Sequence, residues 1–149
     1  MSIRTSSGSN LFISKETLTS AQLLALNTNP ILLVNSPGVG NYIFPIAYAL
    51  TYNFGTTAYH TPAKTNNCFF GWTGQAINSA NSPIAVPGWG VFIANAFSCS
   101  VFGIVGNAAN VGITTIGELN QGMQFGVPNP LTLGDGTLTI ALLYTVLGY

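Results

Sequence analysis

The fold turns on one stretch: Tyr42-Ile43-Phe44-Pro45-Ile46-Ala47-Tyr48-Ala49-Leu50-Thr51-Tyr52-Asn53-Phe54. Every second residue from Tyr42 to Phe54 is large and apolar. The intervening set, Ile43, Pro45, Ala47, Ala49, Thr51 and Asn53, becomes small or polar. Period two sends the two sets to opposite faces, so the stretch predicts a strand with its large face on a core. Pro45 has no N–H for a ladder, which places it at a sheet edge or a bulge.

Before it, Ile31-Leu32-Leu33-Val34 is a short apolar run closed by Asn35-Ser36-Pro37-Gly38-Val39-Gly40, which is turn chemistry. Gly38-Val39-Gly40 is not a dinucleotide loop: the third glycine is missing and a strand follows where a helix is needed. Further back, Thr19-Ser20-Ala21-Gln22 fits a capping box, with helix formers through Leu26 and a stop at Asn27 and Asn29-Pro30. One helix of about two turns is expected. Leu11, Phe12 and Ile13 precede it, and residues 1–17 read as an arm that covers a partner. Residues 1–10 are Ser-rich and lack the apolar centre of a secretory signal.

After residue 54, short β-prone runs alternate with Gly, Pro and Asn turns. Candidate strands are 67–72, 91–97, 98–105, 113–116, 123–125 and 138–147. Residues 78–83 and 106–110 read as loops, and Asp135-Gly136 as a hairpin turn. In the last run Leu138, Ile140, Leu142, Tyr144 and Val146 alternate with Thr139, Ala141, Leu143, Thr145 and Leu147, and both sets are largely apolar. A strand apolar on both faces is covered on both. A two-layer sandwich covers only one, so a neighbouring subunit is expected on the other. The fold class is therefore all-β, a β-sandwich or jelly-roll-like fold with one short N-terminal helix. Residues 18–149 form a single domain, and no internal repeat is seen.

Composition narrows function. The chain has 149 residues, enough for one domain, and only 4% are charged, against about 25% in an ordinary soluble domain. Arg4, Lys15, Lys64, Glu16, Glu118 and Asp135 are the whole set, and the net charge is zero. No basic patch exists to neutralise phosphates, so nucleic-acid binding is excluded. Mean hydropathy is +0.44. The apolar stretches are nevertheless broken by Pro, Gly and Asn well short of the ~20 residues of a spanning helix, and no membrane partner is expected. An uncharged surface of this kind favours association.

Catalytic chemistry has few carriers. His60, the single histidine, sits in Tyr59-His60-Thr61-Pro62 with no carboxylate placed beside it by a motif, and Gly-x-Ser-x-Gly is absent. Asp135 lacks the companions of a calcium loop. Cys68 and Cys99 fit no metal or redox spacing and read as small buried hydrophobes. No enzyme activity, cofactor or metal is expected. Trp89, in Pro87-Gly88-Trp89-Gly90, is the best candidate for an exposed aromatic contact.

The order of segments carries a resemblance. Leu18-Thr19-Ser20-Ala21-Gln22-Leu23-Leu24-Ala25-Leu26-Asn27 leads into Pro30-Ile31-Leu32-Leu33-Val34. Ser36-Pro37-Gly38-Val39-Gly40 and the long strand follow, ending Asn53-Phe54-Gly55-Thr56-Thr57-Ala58-Tyr59. Near the C-terminus, Asn120-Gln121-Gly122-Met123 and Asn129-Pro130 precede Gly134-Asp135-Gly136-Thr137-Leu138-Thr139-Ile140-Ala141-Leu142-Leu143-Tyr144. This resembles small virion-type proteins encoded in the structural-gene regions of tailed bacteriophages and prophages. The resemblance spans 18–59 and 120–146, while 64–117 matches nothing familiar. Related chains carry more charge in the final strand than Ala141, Leu142, Leu143 and Thr145 do here.

The resemblance implies a non-enzymatic virion component. Together with the composition it leads to a capsid decoration (cement) protein, a homotrimer on the major capsid protein, located at the capsid surface of the virion and assembled in the host cytoplasm. A tail or fibre component binding a host glycan or surface protein is the alternative. Leu11, Phe12, Ile13, Trp89, Leu143, Tyr144 and Leu147 are the expected interface residues.

Overall fold

The computed structural model describes residues 10–61, 67–78, 82–105 and 120–148. Among the described residues, eight strands and two short helices follow one another as β1 (Leu11–Leu18), α1 (Ser20–Leu24), β2 (Ile31–Val34), β3 (Asn41–Asn53), β4 (Cys68–Trp72), β5 (Ile84–Val86), α2 (Trp89–Ile93), β6 (Cys99–Ile104), β7 (Met123–Gly126) and β8 (Thr137–Gly148). Two four-stranded sheets form, in the orders β1-β8-β3-β6 and β2-β7-β4-β5. Every pairing is antiparallel. β1 pairs β8, β2 pairs β7, β3 pairs β6 and β4 pairs β5, a nested set equivalent to one long hairpin rolled into a sandwich. The fold is an all-β sandwich of two antiparallel sheets, as the strand pattern predicts.

The core lies between the sheets. Leu50, Tyr52, Leu138, Ile140 and Leu142 from the first meet Phe70, Trp72, Met123 and Phe125 from the second. Tyr48 bridges the layers, its ring 5.3 Å from that of Phe70. Ser14 also reaches across and donates to the Leu33 carbonyl at 2.6 Å.

The capping box forms as the sequence predicts. The Gln22 N–H donates to Thr19 Oγ1 at 3.4 Å, and Gln22 Oε1 accepts from the Thr19 N–H at 2.9 Å. The turn at Gly38 and Gly40 is present, both at positive φ. Pro45 marks a bulge: the β3–β8 register shifts between Pro45 and Ala47. That shift corrects the face assignment. Tyr48, Leu50 and Tyr52 point inward as expected, but upstream of the bulge the inward residues are Ile43 and Pro45, and Phe44 is exposed. One extra residue reverses every side chain before it.

Three other expectations are corrected. Residues 11–17 do not precede the regular structure, because Leu11–Leu18 is an edge strand paired with β8 along its whole length. Its partner lies more than a hundred residues away, which no local pattern reveals. The first nine residues of that arm, like 106–110 and 113–116, lie outside the described residues. The 91–97 run is not a strand, since a second helix, α2, begins at Trp89 behind Gly88, whose φ is +75°. Asp135-Gly136 is not a hairpin turn, because β7 and β8 belong to different sheets. Instead, Asp135 Oδ1 accepts from the N–H groups of Thr56 and Thr57, both at 2.8 Å, and Oδ2 accepts from the Thr56 hydroxyl at 2.5 Å. Asp135 clasps the loop that follows β3.

Candidate interaction surface

In an antiparallel sheet, residues directly opposite one another share a face. Rows across β1-β8-β3-β6 can therefore be read from the register. Thr17, Thr139, Thr51 and Ser100 form one outward row. It is polar and internally bonded: Thr17 Oγ1 and Thr139 Oγ1 lie 3.0 Å apart, and Ser100 Oγ donates to Thr51 Oγ1 at 3.2 Å. The next row is Lys15, Ala141, Ala49 and Phe102, then Ile13, Leu143, Ala47 and Ile104. A last row joins Leu11, Thr145 and Phe44. Away from the threonine row, this outer face is apolar, with Lys15 at its margin.

The face is also bare. Ile13 is 71% exposed, Phe102 and Ile104 67% each, Leu11 60% and Phe44 44%. The other sheet shows what covering looks like. Every residue of β4 is buried, including the outward Phe69 and Gly71. There Ile77 lies over Gly71 and Gly126, so close that a Cβ at either would come within 2.9 Å of it. Gln124 fastens this cover by donating from Nε2 to the Trp72 and Gln75 carbonyls at 2.9 and 3.1 Å. Among the described residues, a loop of the chain covers one outer face and none covers the other.

The expected interface residues divide. Leu11, Ile13 and Leu143 lie on the outward rows, and Leu147 stands opposite Tyr42 beyond them. Phe12 and Tyr144 lie on the inner side at the open end of the sandwich, stacked with ring centroids 5.5 Å apart. Trp89 is the clear correction: it is 1% exposed and packs edge-on against Phe125 at 5.9 Å. The Pro-Gly turn before it leads into a core helix and not into an open loop. Phe44, Phe102 and Ile104 were not singled out by sequence. Phe44 turns outward through the bulge at Pro45, and the signal for Phe102 and Ile104 is the alternation Ser100-Val101-Phe102-Gly103-Ile104-Val105, which has apolar residues on both faces and so does not say which is outward.

The chemistry-bearing side chains have structural partners. His60 is exposed, and its backbone forms a two-way bridge with Thr132 at 2.8 and 2.9 Å. Asp135 is held below the usual carboxylate range, first by the Thr56 hydroxyl and then by the Thr57 and Thr56 amides. Burial pushes the Tyr59 phenol up to about 12, and its hydroxyl donates to the Gly136 carbonyl at 2.8 Å. Cys68 and Cys99 are free thiols, and burial raises Cys68 well above the ordinary thiol value. Among the described residues no three His, Cys, Asp or Glu gather into a metal-binding group. No helix among them is long and apolar enough to cross a membrane.

No protein-family model matches the chain, and no curated protein matches its sequence. Solved structures do show a likeness. A chain in the acidic stable capsid structure of Helicobacter pylori bacteriophage KHP30 is 11% identical, with a TM-score of 0.40, over 93% of this chain and 94% of that one. A chain in the capsid of Ralstonia phage GP4 is 14% identical, with a TM-score of 0.43, over 97% of this chain and 90% of that one. At these identities neither passes its role to this chain.

Proposed function

We propose that this chain is a structural protein of a tailed-phage virion, a capsid decoration (cement) protein that acts as a homotrimer on the major capsid protein and stabilises the head shell. The observation that carries this reading is the outer face of β1-β8-β3-β6: a wide apolar sheet surface that no described residue covers, in a chain with almost no charge. The resemblance of 18–59 and 120–146 to phage virion-type proteins supplies the setting, the capsid surface of a particle assembled in the host cytoplasm.

The mechanism is adhesion and not catalysis. Apolar contact stabilises by roughly 25 cal/mol per Å² removed from water, so a standard-size interface needs no ion pair to hold. Three linked copies multiply individually modest contacts through effective concentration. The tail or fibre reading requires an exposed aromatic platform, and the burial of Trp89 removes the residue it relied on.

Electron microscopy of purified particles tests the proposal by position and copy number. Density for this chain on the outer capsid, in copies that follow the capsomers, supports it. Density confined to the tail overturns it.

A further inference from the structure

We infer that the outer face of β1-β8-β3-β6 is where one copy of this chain meets the next. The inference deepens the assembly reading above: it gives this face to the contact between copies of the oligomer, leaves the capsid contact to the remaining uncharged surface, and rests on the premise that the chain works as an oligomer.

Area is the first argument. Leu11, Ile13, Phe44, Phe102 and Ile104 are each 44–71% exposed. At roughly 150–200 Å² per large apolar side chain, they leave about 500 Å² of bare apolar surface. That is near the upper end of the largest patch on a typical monomer, and it approaches the ~800 Å² that each partner contributes to a standard interface.

Charge is the second. The charged residues in the described segments are Lys15, Glu16 and Asp135, and of these only Lys15 lies on this face. A nucleic acid or an acidic peptide finds only that single lysine there to pair with. An uncharged surface fits it, and a second copy brings the same uncharged surface.

Relief is the third. Down the middle of the sheet, Ala47 and Ala49 on β3 and Ala141 on β8 make a shallow trough. Along its β6 side, Phe102 and Ile104 stand up as a ridge. Ridge and trough are complementary within one face, so the ridge of one copy fills the trough of the next. Any other partner would have to supply a matching relief of its own.

Sedimentation of the full-length chain tests this. Wild type is expected to assemble at about 10 μM, at a multiple of the 15.6 kDa chain mass. Phe102→Ser with Ile104→Ser should raise the dissociation constant about a hundredfold with the circular dichroism unchanged, since both side chains are exposed. Leu133→Ser, 67% exposed in the loop before β8, should leave the mass as it was. Should the double variant lose its fold, Ile13→Lys on the opposite rim must weaken assembly in the same way. A wild type that stays monomeric at about 100 μM, or assembly indifferent to these ridge and rim changes, overturns the inference. Particle binding is scored separately. A monomer that still decorates capsids refutes the copy–copy contact and spares the capsid role, whereas an oligomer dispersed by the ridge variants and absent from particles does the reverse.

Discussion

Replacing Gly103 by alanine drives a methyl group into the Tyr48 ring. Gly103 on β6 stands directly opposite Tyr48 on β3, on the inner face. A Cβ there falls 2.5 Å from Tyr48 Cε1 and closer still to Cζ and the hydroxyl, where ordinary contact begins near 3.4 Å. The ring must therefore move by about 1 Å or more. It cannot swing inward, because Phe70 lies against it. Expelling the ring into water would forfeit some 150–250 Å² of burial, which at 25 cal/mol per Å² is about 4–6 kcal/mol. Bending the β6 edge strand away is cheaper, at the ~1–3 kcal/mol typical of overpacking. At about 3 °C per kcal/mol for a domain of this size, Gly103→Ala should melt about 3–9 °C lower. Thermal unfolding followed by circular dichroism measures it. In a Tyr48→Leu background the same alanine should cost less than about 0.5 kcal/mol, because the ring is gone. A melting point within 1 °C of wild type, or an equal loss in both backgrounds, refutes the reasoning.

Trp89→Ala should destabilise the fold by about 3–5 kcal/mol in urea unfolding, since the indole fills the core against Phe125 and Phe92; an unchanged midpoint would return Trp89 to the surface. Asp135 is predicted to make the fold acid-sensitive. Its folded value is depressed, so its stabilisation is complete above the ordinary aspartate value of ~3.9 and is lost as pH falls through the lower folded value. Melting temperatures from pH about 6 to about 2 should show a smaller acid-induced drop in Asp135→Asn than in wild type; equal drops would mean that the clasp contributes nothing.

What could be read from sequence was what local chemistry dictates. The capping box at Thr19 and Gln22 is complete within four residues, and the Gly38–Gly40 turn within three. The alternation from Tyr48 to Tyr52 states its own faces. Pro45 announced an irregularity, but the face reversal it causes depends on how β8 pairs with β3 across the bulge, which is a distant event. β1 is hidden from sequence for the same reason, since its ladder partner is β8, more than a hundred residues away. The two-sided apolarity of β8 was legible and pointed to a cover on the outer face. Which residues complete that face was not, because Phe102 and Ile104 owe their outward direction to the β3–β6 register. Pro-Gly-Trp-Gly reads as a loop until Phe125 is brought beneath it, so sequence alone puts Trp89 at the surface.

On the proposed reading, uncharged apolar contact is what would hold this chain on a capsid. Salt titration of purified particles tests it most directly. Contacts without ion pairs are not screened, so the amount of this chain on the particle should stay level from about 0.05 to 1 M NaCl. Release by about 0.5 M NaCl would show that charge holds it there and would contradict the account.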